Sequence, residues 1–359
     1  MRILVIAPDT EQLRPFSKSI FDEMKNLGGA EIEMVAMNIF YLNCSYFQRR
    51  LYKLGYRADE ISYDKKIIDD LEKRCAEFKP DCVLILNGTH VPTAVQKFLT
   101  RYKIIAWLWD SFRRGPCLIS TVNLADEIFC FEYEDLKFLA EKGNLAHYLP
   151  LGANDKIYFP RKVERDIDIS FIGLASKERL EFLNKVCERA LQENWKVKIG
   201  GIFYDRKHFW KKYIFRYRQE YLAKFIDNRI FSAEEVAELY CRSKICLNIN
   251  TKIHHSLSPR TFEICATKSF QLMNSGQNSN GLMNLETDLA TFDGAEDLIE
   301  KIEFYLANDE LREKIALAGY NSVIKNCTIK KSVERLLTES EILSGLKGFY
   351  NFQRRGRFN

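Results

Sequence analysis

Short apolar runs alternate with stretches of mixed polarity along the whole chain. In the first half RILVIA (2–7), EIEMVAM (31–37), CVLILN (82–87), KIIAWLW (103–109), EIFCF (127–131) and LAHYL (145–149) read as strands. Polar-rich spacing over 14–27, 60–78, 91–101, 116–124 and 133–142 predicts helices between them. Continuous apolar strands separated by helices imply a parallel sheet covered on both faces. Next comes LPLGANDKIYFP (149–160), whose Pro150, Gly152, Asn154 and Pro160 make it the best domain boundary in the chain. The alternation then restarts. DISFIG (168–173), WKVKIGG (195–201), RIF (229–231), KICLNIN (244–250), SFQLMN (269–274) and LATF (289–292) read as strands, with helices at 176–193, at 232–242 and from Ser258. Three more helical stretches cover 295–345. The pattern predicts an α/β protein of two Rossmann-like domains, 1–150 and 151–345, with parallel sheets facing across an interdomain cleft. Ligands of such sheets bind beyond the carboxyl ends of the strands.

Composition narrows the picture. A length of 359 residues with 46% apolar content favours two domains with real cores. The net charge of +5 is mild and by itself neither demands nor excludes an anionic partner; no nucleic acid is counted among the expected partners. None of the ten cysteines forms a C-x-x-C pair, and Cys82 and Cys246 sit inside apolar runs, a usage that suits buried thiols in a reducing compartment. The apolar stretch ending at Pro8-Asp9 is too short for a signal-peptide core, and no run approaches the roughly 18 apolar residues that span a bilayer. The expected location is the cytoplasm or the cytoplasmic face of a membrane.

The strand ends carry the chemistry. The first, IAPDTEQLRP, has no glycine, so the dinucleotide fingerprint G-x-G-x-x-G is absent there, and the chain has no P-loop. In the second half Gly173 follows a strand directly, with Ser176 and Lys177 at a helix start; a simple turn or a phosphate contact both fit. The stronger signal is LNINTKIHHSLSPRTFEICATKSFQLMN (247–274). Ser258-Pro259 is a good N-cap and N1 pair, Arg260 and Thr261 fall in the first turn where they can grip a pyrophosphate, and Glu263 can accept two hydrogen bonds from a ribose diol. An ordinary capped helix with a surface Glu–Arg pair is the plainer alternative. Gly201 and Asn250, each closing a strand, and His255 in the following loop complete the donor-side candidates. His254 and His255 lack further ligands at metal spacing, so no metal site is expected.

The stretches LPLGAN, DIDISFIG, LNIN and SPRTFEICATKSFQLMN resemble the CgeB/YkvP-like glycosyltransferases of the two-Rossmann GT-B class. The resemblance implies that the second domain binds a nucleoside-diphosphate sugar and that Glu263 holds the ribose. It also implies a reaction without a metal, with Arg260 and Lys177 as the cations on the leaving diphosphate and no separate cofactor. The D-x-D of Asp166 and Asp168 precedes a strand, at the end opposite the cleft, and reads as structural. On the acceptor side Asp110 and His90 follow strands, and either can take an acceptor proton; a turn or N-cap role for Asp110 and a loop role for His90 are the alternatives. Trp107 or Trp109 is placed to stack on a sugar, and His147 reads as a core or hinge histidine. Where many retaining relatives have a glutamate, this chain has His255; where relatives have Ala-Gly it has Thr267-Lys268, so stereochemistry stays open. The tail 346–359, with Arg354, Arg355 and Arg357, is expected to pack back on the first domain or to be disordered.

Residues 207–225 read as one helix with Trp210, Ile214, Tyr217, Tyr221 and Phe225 on a shared face and Lys207, Lys211, Lys212, Arg216 and Arg218 around it. Packing of the aromatic face on the sheet is the favoured reading; peripheral contact with an anionic membrane is the other. The expected function is metal-independent transfer of a sugar from a nucleoside-diphosphate sugar to a surface-glycan, lipid-linked or protein acceptor. A nucleotide-sugar 2-epimerase on the same fold and a non-catalytic glycan-binding member are the alternatives.

Overall fold

The computed structural model describes residues 1–343 apart from 11–12, 39–43, 57, 89–90, 115, 206–207 and 252–254. The chain forms two compact units, Met1–Pro150 with the segment from Ile329 onward, and Leu151–Thr328.

The sheet of the first unit contains β1 (Arg2–Pro8), β2 (Glu31–Met37), β3 (Cys82–Leu86), β4 (Lys103–Leu108), β5 (Glu127–Cys130) and β6 (Ala146–Tyr148) in the order β2-β1-β3-β4-β5-β6. Every pairing is parallel. Helices α1 (Arg14–Leu27), α2 (Tyr46–Lys53), α3 (Ala58–Phe78), α4 (Thr93–Leu99), α5 (Pro116–Leu124) and α6 (Tyr133–Glu141) connect the strands. The five residues of β3 are all buried, as the uninterrupted run CVLIL requires of a central strand covered on both faces.

The second unit repeats the scheme. Its strands β7 (Ile167–Ile172), β8 (Val197–Gly200), β9 (Ile226–Asp227), β10 (Ser243–Asn248), β11 (Gln271–Asn274) and β12 (Ala290–Phe292) lie in the order β12-β11-β10-β7-β8-β9, again all parallel. Helices α7 (Lys177–Glu193), α8 (Phe209–Arg218), α9 (Ala233–Arg242), α10 (Pro259–Ala266), α11 (Gly294–Ala307) and α12 (Asp309–Asn326) surround it. Period-two alternation divides the core: Ile245 and Leu247 of β10 pack with Leu183, Val186 and Leu298 of α7 and α11, while Cys246 packs with Ala237, Tyr240 and Phe262 of α9 and α10.

Four features depart from the sequence expectation. The final helix, α13 (Ile329–Glu339), groups with the first unit, whereas the expected bounds 151–345 count it in the second domain. Its anchors are polar. Ser332 donates to the Pro150 carbonyl at 2.9 Å and Arg335 to that of Tyr148 at 2.9 Å. The buried Glu127 carboxylate accepts from the Ser340 hydroxyl at 2.6 Å and from the backbone N–H of Glu341 at 2.9 Å. The ninth strand is Ile226–Asp227, ahead of the RIF run, and α2 is a helix that the sequence reading left out. Finally, α8 stops at Arg218 and a short 3-10 turn follows over Leu222–Lys224, so 207–225 is not one continuous helix. The tail 346–359 lies outside the described residues.

Candidate functional site

Two strand ends meet at Gly173 and Gly201. The Gly173 N–H donates to the Gly200 carbonyl at 3.0 Å, and Gly201 follows with φ of +127°. A Cβ on Gly201 would lie 1.9 Å from the Gly173 carbonyl oxygen, so glycine is required there on both conformational and steric grounds. A Cβ on Gly173 would meet the Phe171 ring at 2.8 Å and the Arg260 guanidinium at 3.3 Å. Gly173 thus makes room for the arginine of another strand end.

Just beyond Gly173, Ser176 caps α7 and accepts from the Arg179 N–H at 3.3 Å. Lys177, the first residue of α7, projects into solvent. The cation beside Arg260 is instead Arg179, which the sequence reading missed. Its Nε donates to the Ile249 carbonyl and its Nη1 to that of Leu174, each at 2.9 Å, tying the loop after β7 to the end of β10. Burial, and then the neighbouring Arg260 charge, push its pKa down to about 10. Both guanidiniums lie over the Phe171 ring, 5.8 Å and 5.7 Å from its centroid. Neither forms an ion pair among the described residues, so two positive charges converge with no carboxylate bonded to either.

Arg260 opens α10, behind Ser258 in extended backbone and Pro259 at the first helical position. The Ser258 side chain does not perform the expected capping bond; its hydroxyl is buried and unpartnered among the described residues. Thr261 is also placed differently from expectation. It is fully buried, its hydroxyl accepts from Asn248 Nδ2 at 3.0 Å, and it therefore fixes Asn248 in the core. Glu263, read alternatively as half of a surface pair, is buried. The Tyr158 hydroxyl hydrogen-bonds its carboxyl and Arg260 acts on it through space, yet desolvation dominates and raises its pKa to about 7. Arg260 in turn hydrogen-bonds the Tyr240 hydroxyl. Tyr158 comes from the breaker-rich segment 149–160, where its signal was hidden among turn residues. Lys268 sits at φ +55°, in the left-handed region that glycine adopts most readily.

Asn250 and His255 lie on the wall of a cavity of about 640 Å³ at the ends of β10, β11 and β12. Glu178, Lys185, Asn274 and Gln277 also face it. The Asn250 backbone N–H donates to Asn274 Oδ1 at 2.6 Å, and its buried Nδ2 has no partner among the described residues.

In the first unit, Asp110 follows β4 and accepts from the Ser111 N–H at 2.9 Å, the bond of a turn residue. Beneath it the buried Asp135 accepts from the Ser111 hydroxyl at 3.0 Å and the Phe112 N–H at 3.1 Å, and pairs with Arg113 at 2.9 Å. Trp107 cannot stack on a sugar: it is fully buried, and its indole donates to the Leu149 carbonyl at 3.1 Å. His90 lies outside the described residues, as does His254. His147 stacks on Phe129 and bonds Glu127 at 2.8 Å. Asp166 pairs with Arg242 at 2.6 Å and Asp168 with Lys244 at 2.7 Å, so both carboxylates of the D-x-D are engaged by cations. Among the described residues no three metal-ligating side chains are gathered together.

Two six-stranded parallel sheets, each wrapped by helices, with cations and a buried acid at the strand ends of the second, define the GT-B class of fold. Residues 179–338 match the glycosyl transferase-like family model, so the chain carries a glycosyl transferase-like domain. It is 22% identical over 277 residues to the spore protein CgeB of Bacillus subtilis (strain 168), covering 72% of this chain and 82% of that protein. Among solved structures it superposes on a sucrose-phosphate synthase from Thermosynechococcus elongatus with a TM-score of 0.66, at 11% identity, covering 94% of this chain and 97% of that one. It superposes on Anabaena HepE in complex with UDP and glucose with a TM-score of 0.65, at 11% identity, covering 94% and 99%.

Proposed function

We propose that the protein is a metal-independent glycosyltransferase that takes its sugar from a nucleoside-diphosphate donor held by the second unit. Arg260 and Arg179 bind the diphosphate, Glu263 accepts the ribose hydroxyls with Tyr158 orienting it, and Asn250 and His255 face the glycosyl group. The acceptor is a hydroxyl of a surface glycan, a lipid-linked saccharide or a protein. Its oxygen forms the new bond to the anomeric carbon while the bond to the diphosphate breaks. The diphosphate leaves with the two guanidiniums beside it, where its negative charge develops. The acceptor proton goes to a base of the first unit, Asp110 or His90.

The observation that carries this reading is the convergence of Arg179 and Arg260 over Phe171 with no carboxylate bonded to either, one turn from the buried Glu263. Two guanidiniums that bond no carboxylate, in a partly desolvated place, suit an anion with paired oxygens. HepE, which shares the fold, is itself a UDP and glucose complex. A panel of UDP-, GDP- and dTDP-sugars, scored by thermal stabilisation and then by nucleotide release with and without acceptor glycans, tests the reading. Acceptor-dependent release supports transfer. Release of nucleotide and free sugar without any acceptor supports the 2-epimerase alternative, and stabilisation without turnover the glycan-binding one.

A further inference from the structure

The face of α8 that the sequence pattern assigns to the core is on the outside. Trp210, Tyr213, Ile214 and Tyr217 recur at i, i+3, i+4 and i+7 and therefore form one stripe, and they are 47%, 69%, 45% and 90% exposed. What anchors the region is the opposite face and the turn that follows: Phe215 and Leu222 are buried, and Tyr221 and Phe225 pack against the same core. An amphipathic stripe usually faces its own core. This one does not, and its aromatic members bear polar tips.

Cations border the stripe. Arg216 and Arg218 flank it on its two sides, Lys212 lies round toward the Phe215 side of the helix, and none of the three forms an ion pair among the described residues. Lys211 is held at 3.0 Å by Asp205 and lies over the Trp210 ring at 5.5 Å. Exposed tryptophan and tyrosine with polar tips, flanked by two guanidiniums that no carboxylate pairs among the described residues, complement a headgroup layer carrying negative charge. No helix among the described residues is long and apolar enough to cross a membrane, so contact through α8 is made from the surface.

From this geometry we infer that α8 docks the protein on an anionic lipid surface, with Trp210, Tyr213, Ile214 and Tyr217 entering the headgroup layer and Arg216 and Arg218 meeting lipid phosphates. Docking is independent of donor binding, because none of these residues belongs to the donor site.

The full-length protein is floated with vesicles of phosphatidylcholine alone and of phosphatidylcholine mixed with phosphatidylglycerol. The wild type binds only the mixed vesicles, and binding falls as salt is raised. Trp210→Ser with Tyr217→Ser, which removes apolar area from the headgroup layer, and separately Arg216→Glu with Arg218→Glu, which reverses two phosphate-facing charges, each weakens binding by about tenfold or more. All these side chains are exposed, so thermal melts of the variants stay at the wild-type value and report that the fold is intact. Wild-type protein that ignores the mixed vesicles, or binding that neither pair of substitutions changes, overturns the assignment. So does a concentration-dependent dimer in sedimentation velocity that Tyr217→Ser abolishes while vesicles remain unbound; that result assigns the stripe to a second copy of the chain.

Discussion

The Tyr158 hydroxyl hydrogen-bonds the Glu263 carboxyl inside the second unit, joining the breaker-rich segment at 149–160 to the first turns of α10. The bond favours the ionised carboxylate, while burial favours the protonated acid; burial wins, and the carboxyl titrates at about 7. On the proposed donor site the ribose diol takes the carboxylate form, so donor affinity is expected to rise as pH increases from 5.5 through about 7 and to be flat above it. Below that point each unit of pH weakens binding by up to about tenfold. Calorimetric titration across this range, with a proton released on binding at low pH, checks the prediction.

The same pKa sets a stability dependence of opposite sense. The folded value is raised above the ordinary 4.5, so folding favours the protonated acid, and stability is lost as pH rises from about 4.5 through about 7. Glu263→Gln, neutral at every pH, is expected to stabilise the unliganded protein at pH 8 by up to roughly 3 kcal/mol and to weaken donor binding. Urea unfolding at pH 5 and pH 8 measures it: the gain belongs at pH 8 and is small at pH 5.

Tyr158→Phe removes the one hydrogen bond that favours the ionised form. The pH midpoint for donor binding then moves upward from about 7, while affinity well above the midpoint is nearly retained. A uniform loss of affinity at all pH values is the outcome this account does not allow.

Arg179 and Arg260 make different errors when removed. Arg260→Ala deletes a phosphate ligand and is expected to weaken inorganic pyrophosphate and intact donor alike, by roughly tenfold to a hundredfold. Arg179→Ala does the same and also frees the Leu174 and Ile249 carbonyls, so it lowers the melting temperature as well. Lysine at either place restores the charge without the planar fork, and recovers only part of the binding.

Backbone conformation gives a pair of opposite effects. Gly201→Ala drives a methyl into the Gly173 carbonyl and is expected to destabilise by roughly 3 kcal/mol. Lys268→Gly relieves a left-handed lysine and is expected to stabilise by about 0.5–1 kcal/mol. Thermal or denaturant unfolding distinguishes the two directly.

Much of the architecture was legible because buried parallel strands leave an uninterrupted apolar signature. CVLIL, buried throughout, makes up the whole of β3, and the bounds read at 31–37 and 116–124 match β2 and α5 to the residue. What failed was set by tertiary contacts that leave little local trace. The association of α13 with the first unit depends on Ser332, Arg335 and Glu127 finding partners far away in sequence. The face expected over 207–225 divides: Trp210, Ile214 and Tyr217 of α8 are exposed, while Tyr221 and Phe225, beyond the helix end, pack on the core, because period does not report where a helix stops or what its face meets. At the site, Arg260 and Glu263 were legible from their place behind a Ser-Pro helix start. Tyr158 and Arg179 were not: one sits among turn residues, and the other is one of several charged residues at the start of α7, with nothing local to single it out. Thr261, expected to touch ligand, instead holds Asn248 because the i to i+3 geometry of a short helix turns it inward.

The central claim is that the cations and the acid of α7 and α10 form a single nucleotide-sugar site. Its most direct measurement is calorimetric titration of UDP-, GDP- and dTDP-sugars into the wild type and Glu263→Ala at pH 8, with circular dichroism confirming the fold of both. The account predicts saturable binding of at least one donor by the wild type and a loss of at least about tenfold in Glu263→Ala, the scale of a charged hydrogen bond. Unchanged affinity in a folded Glu263→Ala protein would contradict it.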